Sequence, residues 1–191
     1  MRILDFDIEN RPLNYIAQGY TGDEPTVIAC AWVDQPKDVY CFSLSDLMRP
    51  KHMLNAFLYF YNKADMVTGH FIRAHDLPII NGALLENGMP PLQDKLTQDT
   101  KLDLIGFRGL SKSQKNLAAM LGVGMEKKDM DQSEWRSANR LLPEGINLAR
   151  ERCVSDVKQH MELRTKLLAA GMLKPPRMWR GTSVVREVYT P

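Results

Sequence analysis

The sequence predicts an α/β protein, a mixed β-sheet with helices packed on it, and three observations carry that expectation. Residues 2–9 alternate apolar and acidic side chains with period two, residues 26–33 and 39–43 are rich in β-branched and apolar types, and from residue 45 onward helical spacings alternate with short apolar runs. A chain of 191 residues with 44% hydrophobic content can bury one full core. One domain is therefore expected over residues 1–173, followed by a basic, Pro-containing tail at 174–191 that can pack on it.

Taken in order, the first strand places Leu4, Phe6 and Ile8 on one face and Ile3, Asp5, Asp7 and Glu9 on the other. A connection containing Pro and Gly spans 12–25, and the strands at 26–33 and 39–43 complete a meander. Ser45 can cap a helical stretch interrupted by Pro50, after which Met53, Phe57 and Phe60 recur at helical spacing up to Asn62. Residues 66–69 read as a short buried strand, 79–87 as a helix stopped by Gly88, and 96–104 as a segment whose first half favours strand. Ser113 precedes a compact helix ended by Gly122. The polar, charged stretch 124–142 reads as a loop around Trp135, placed to lie against a ligand or to anchor itself. A long helix over 146–170 is closed by Gly171, and Val184-Val185 in the tail hints at a terminal strand.

Composition excludes several classes. With Lys plus Arg at 25 and Asp plus Glu at 23, the net charge of +2 does not by itself indicate a nucleic-acid partner. Cys30, Cys41 and Cys153 are odd in number and widely spaced, without a CxxC pair, which suits a reduced, cytoplasmic setting. No apolar run reaches the roughly 18 residues of a membrane span, and the N-terminus is acidic where a signal peptide is apolar. A soluble, unprocessed protein is expected.

The chemistry is concentrated on the first strand. Asp5, Asp7 and Glu9 alternate on one face, where like charges repel and burial adds to the cost. A divalent cation removes that repulsion, and magnesium takes hard oxygen ligands while leaving positions for phosphate oxygens. The competing reading is an exposed edge strand with a solvated acidic face, which the apolar opposite face argues against.

The segment Phe6-Asp-Ile-Glu-Asn-Arg-Pro12 resembles the first motif of the DEDD 3′–5′ exonucleases, an aspartate and a glutamate one residue apart on the first strand of an RNase H-like sheet. Residues 68–78, ending His75-Asp76-Leu77-Pro78, are similar to the second motif, and Arg152-Cys-Val-Ser-Asp-Val157 resembles the third. Residues 86–90, 99–100 and 113–122 also agree, so the likeness runs from Met1 to about Ala170 and is closest to phage-type members. It implies an RNase H-like mixed β-sheet flanked by α-helices and two divalent cations, Mg2+ or Mn2+, held by Asp7, Glu9, Asp76 and Asp156. Asp7 would bridge both ions, Glu9 and Asp156 would bind the water-activating ion, and Asp76 would act through the second ion or its water shell. The implied partner is nucleic acid, single-stranded or with a free 3′ end, in the cytoplasm, or in a host's cytoplasm for a phage protein. The rival expectations are a nucleic-acid-binding module with weakened catalysis and an endonuclease on the same fold.

Three departures carry physical content. Phe71 stands where the family has asparagine, and His75 where it has an aromatic. Arg152 and Glu151 occupy the places of the tyrosine or histidine that positions the attacking water. At about 100° per residue, Arg152, Asp156 and His160 share one side of the helix while Glu151 points away. Arginine cannot act as a base, so Arg152 would bind a phosphate or offset the carboxylates. With Arg152, His160 and Trp135 are the candidate substrate-binding residues, His160 because histidine is the side-chain type suited to proton exchange near neutrality and Trp135 because it can stack on a base. Their competing roles are structural. His70 would sit at a strand end, His75 would hold its loop by a hydrogen bond, and Arg73 would be solvated or touch phosphate. Lys112, Lys115, Lys127 and Lys128 would form a diffuse basic rim.

Overall fold

The computed structural model describes residues 1–13, 22–45, 47–106, 109–125 and 128–181. Strand β1 (Ile3–Pro12) pairs antiparallel with β2 (Asp23–Trp32), so both strands run into the connection expected at 12–25. Pro25 sits opposite Asn10, where the register shifts between Glu9 and Asn10, a bulge that tolerates a residue without an N–H. Strand β3 (Val39–Ser43) continues the meander beyond β2. On the other side of β1, β4 (Met66–Gly69) and β5 (Lys95–Asp99) run parallel to it, and β6 (Arg177–Trp179) closes the sheet antiparallel to β5. The order is β3-β2-β1-β4-β5-β6. The parallel strands β1, β4 and β5 thus end on the same edge of the sheet, the edge where open α/β sheets bind their ligands.

Five helices among the described residues cover the sheet: α1 (Pro50–Lys63), α2 (Asp76–Glu86), α3 (Gln114–Met120), α4 (Gln132–Asn139) and α5 (Pro143–Ala169). The apolar face of β1 behaves as its alternation requires: Leu4, Phe6 and Ile8 are buried with Met53, Leu54 and Phe57 of α1 and Leu77, Ile80 and Leu84 of α2. Each such side chain contributes about 1.5–3 kcal/mol when withdrawn from water, enough to fix which face of β1 turns inward. On the opposite face, Val27, Ala29 and Ala31 of β2 pack against Ala149, Cys153, Val157 and Met161 of α5. The small alanines let α5 lie close to the sheet, which brings its middle turns over the acidic face of β1.

Several boundaries differ from expectation. Pro50 does not interrupt a helix; it starts α1, at a position where its missing N–H has no partner to lose and its fixed φ suits a helix. Ser45 caps no helix, because its Oγ accepts the N–H groups of Leu47 and Met48 in a turn before α1. Helix α2 begins at Asp76 rather than after Pro78, since a proline in the first turn forfeits no intrahelical bond. The stretch expected as a loop around Trp135 contains α4, started by a capping box in which Asp131 accepts the Glu134 N–H and Glu134 accepts the Asp131 N–H. Gly88 and Gly171, with φ of 65° and 64°, terminate their helices as the sequence indicates. Val184 and Val185 lie outside the described residues. No helix among those described is long and apolar enough to cross a membrane.

Candidate active site

Strand β1 turns Asp7 and Glu9 toward α5, and α5 brings Asp156 down to meet them. Each offers a carboxylate oxygen, and these three atoms lie within 4.8 Å of one another. The cluster opens into a cavity of about 380 Å³ that Asp76 also lines. Asp76 is the first residue of α2 and is buried; its Oδ1 accepts the Ile8 N–H at 3.2 Å, while Oδ2 lies 3.4 Å from Nδ1 of His75. Burial pushes the Asp76 carboxyl up from its ordinary range despite the pull of His75, and Asp76 in turn raises the His75 imidazole. The loop is tied to β1 by Asp76 through the Ile8 N–H, and His75 adds a contact to that carboxylate. Asp76 shares the cavity but stands outside the tight group of three.

Arg152 reaches the cluster, as its place one turn before Asp156 requires. Its principal partner is Glu9, not Asp156: Nε donates to Glu9 Oε1 at 2.8 Å, whereas Nη2 is 4.0 Å from Asp156 Oδ2. Nη1 donates to the Lys128 carbonyl at 2.9 Å and lies 3.8 Å from Asp129 Oδ1, and Trp135 stands beside the guanidinium at 5.3 Å. Cys153 adds a contact that spacing arguments missed. Its thiol donates to the Asp7 carbonyl at 3.3 Å and lies 3.8 Å from Asp7 Oδ2. Burial, then Asp7 and Glu9, push that thiol well above its ordinary range, so it remains a donor that steadies Asp7.

Two expected substrate contacts are not in the cavity. His160 is buried, with Nδ1 2.6 Å from Asp5 Oδ2 and Nε2 2.9 Å from Thr100 Oγ1, so both ring nitrogens are engaged inside the protein. The reason is distance: eight residues of helix carry it about 12 Å along the axis from Arg152. Asp5 is correspondingly removed from the acidic face that meets solvent; burial raises its carboxyl, against the opposing effect of His160. Thr100 passes the chain of hydrogen bonds on to Nδ1 of His70 at 3.0 Å, and His70 does line the cavity. Trp135, half-buried on α4, packs on the apolar cluster beneath α5 instead of projecting toward a ligand.

Arg73 is neither solvated nor placed for a phosphate. Its guanidinium, 8% exposed, makes a two-point ion pair with the buried Asp103. Asp99 holds the same loop by accepting the N–H groups of Phe71, Arg73, Lys101 and Leu102. That grip sustains Phe71 at φ 70°, a left-handed conformation in which asparagine, the residue expected by resemblance, is more at ease. Phe71 lines the cavity with Lys101 stacked 3.7 Å from its ring centre. The basic rim is partly spent in pairs: Lys115 with Asp129 at 2.7 Å, and Lys128 with Glu151. Lys127 lies outside the described residues.

The donor set suits a hard divalent cation. Two oxygens on one magnesium at about 2.1 Å lie at most roughly 4.2 Å apart, so the carboxylates need only small side-chain adjustments to share an ion or to flank two. The neighbouring thiol stays protonated and offers no soft ligand.

Comparison with protein-family models and with curated proteins gives no match. Among solved structures, the chain is similar to the family B DNA polymerase from the hyperthermophilic archaeon Pyrobaculum calidifontis, with a TM-score of 0.60 and 17% identity over 88% of this chain. It spans 24% of that polymerase chain. At this identity the likeness concerns the fold, an RNase H-like mixed sheet flanked by helices.

Proposed function

We propose that the protein is a metal-dependent 3′–5′ exonuclease that hydrolyses phosphodiester bonds of nucleic acid. The observation that carries this is the meeting of Asp7, Glu9 and Asp156 within 4.8 Å, in a cavity that Asp76 also lines, at the binding edge of an RNase H-like sheet. When bound, two divalent cations, Mg2+ or Mn2+, would supply an activated water, a clamp on the phosphate and stabilisation of the leaving oxygen. Asp7, Glu9 and Asp156 would hold the cations, and Asp76, whose Oδ1 accepts the Ile8 N–H, would contribute from across the same cavity. The Cys153 thiol donates to the Asp7 carbonyl and so steadies the stretch of β1 that presents Asp7. Arg152 occupies the place where the exonucleases that the sequence resembles position the water, and a guanidinium cannot act as a base. Turnover is accordingly slow. In this reading residues 1–173 carry the catalytic site, the segment from 174 packs on them through β6, and a reduced, cytoplasmic setting suits the free thiols.

One observation favours a second reading, a nucleic-acid-binding module with weakened catalysis: Arg152 engages Glu9, one of the acids the chemistry needs. End-labelled single-stranded DNA and RNA and a closed DNA circle, incubated with Mg2+, Mn2+ or chelator, separate the possibilities. Stepwise shortening from the 3′ end that requires metal supports the exonuclease; opening of the circle identifies an endonuclease. Binding without cleavage of any substrate identifies the module.

A further inference from the structure

We propose that Arg152 is a built-in cation of the carboxylate cluster, so that the site takes one divalent cation readily and a second only when Arg152 releases Glu9. This rests on the reading of Asp7, Glu9 and Asp156 as metal ligands and deepens it by assigning the order of loading. The Arg152–Glu9 bond of 2.8 Å is charge-assisted, and the two side chains are only 16% and 13% exposed, so solvent and salt screen the pair weakly. The guanidinium is also anchored at a distance from the metal ligands, by the Lys128 carbonyl at 2.9 Å and by Asp129 at 3.8 Å. It is held in the cluster rather than resting on it.

Charge sets the consequence. Within the tight cluster, the three carboxylates and the guanidinium sum to a formal charge of −2, which one divalent cation offsets; a neutral side chain at 152 leaves −3 and so favours a second. A second cation at the Glu9 side meets a fixed positive charge and a carboxylate already engaged; it binds only at the expense of the Arg152–Glu9 pair. A neutral side chain at position 152 imposes neither obstacle. Arg152 is thus a positioning residue for the metals, acting through Glu9, and its replacement changes metal stoichiometry before it changes any rate.

Calorimetric titration of the full chain with Mn2+ reads this directly. The wild type should bind one Mn2+ with a second at least about tenfold weaker, and Arg152→Gln should tighten the second by about tenfold or more. Circular dichroism establishes that the variant is folded. Should it not fold, Glu9→Gln answers the same question, because Glu9 contributes little to the first cation while Arg152 holds it. That variant should weaken the first Mn2+ by about threefold or less, against about tenfold or more for Asp7→Asn. Two Mn2+ of equal strength in the wild type, unchanged binding in folded Arg152→Gln, or equal losses in Glu9→Gln and Asp7→Asn would overturn the inference while leaving the metal site intact. No Mn2+ bound by the wild type or any variant would overturn the metal reading and the inference together.

Discussion

Two groups of acids lie along the same edge of the sheet, and the protein treats them in opposite ways. Asp99 and Asp103, at the end of β5, are fully buried, and their oxygens are consumed by the chain itself: Asp99 by four backbone N–H groups, Asp103 by Arg73 and the Asp99 N–H. Asp7, Glu9 and Asp156, supplied by β1 and α5, are gathered against one another around an open cavity. The arginines differ in the same sense. Arg73 makes a two-point pair with one carboxylate, whereas Arg152 divides its donors among Glu9, a carbonyl and the vicinity of two further acids. Acidity at the binding edge therefore does not define the site. What defines it is whether the local donors are already committed to the fold or leave carboxylates crowded where a cation can relieve them.

Removing one charged partner from each group should have opposite consequences. If the proposed function holds, Asp7→Ala or Asp156→Ala should lower metal-dependent hydrolysis by about a thousandfold or more, because bound cations would supply several kcal/mol of transition-state stabilisation. In chelator the melting temperature of either variant should be unchanged or higher, because repulsion falls. Full hydrolysis by either variant, followed on a labelled oligonucleotide, would remove these residues from the chemistry.

At the other group the effect falls on stability. Arg73→Ala leaves Asp103 buried without its main partner and should cost about 3–5 kcal/mol, measured by urea unfolding. Added Mn2+ should not restore it. Restoration by metal would mean that the two groups form one site.

A smaller effect is expected with pH. Asp5 and Asp76 have carboxyls raised by burial, and the His75 imidazole is raised by Asp76. A group raised in the folded state contributes stability that is complete below its unfolded value and is lost as pH rises through its folded value, and all three act in this direction. Urea midpoints in chelator should therefore fall as pH climbs above the ordinary carboxylate range and on past that of histidine. Asp76→Asn should flatten the fall, and an identical profile in that variant would show that Asp76 is not strained by its burial.

The least effect belongs to the thiols. Cys30, pushed up to about 12 by burial, and Cys153, also raised well above its ordinary range by burial, should resist alkylation at pH 8 while the protein is folded. The half-buried Cys41 should react first. Mass spectrometry after brief iodoacetamide treatment orders them; early labelling of Cys153 would mean that α5 often parts from β1, and with it the acid cluster.

Much of this architecture was legible in local patterns. The period-two alternation of residues 3–9 identified both faces of β1, the runs at 39–43 and 66–69 marked β3 and β4 at their observed bounds, and Gly88 and Gly171 marked helix ends. The Asp131-x-x-Glu134 capping box was equally visible and would have revealed α4; the polar composition of the segment obscured it. Spacing on α5 correctly set Arg152 and Asp156 on one side, but it extended that side to His160, where one more turn passes beyond the cavity and under the sheet.

Local pattern settles which side chains each element can offer to each face, because helix and strand periods are properties of neighbouring residues. It thereby determined that β1 carries an acidic face and that α5 can bring an aspartate and an arginine to one side. The partners are set by long-range packing. Glu9 meets Arg152 across 143 positions of chain, Asp5 meets His160 across 155, and Arg73 is taken by Asp103 and not by solvent. A carboxylate is drawn to whichever donor the packing brings within about 3 Å, and that competition is settled by how closely α5 and the β5 loop approach β1, a distance no local pattern encodes.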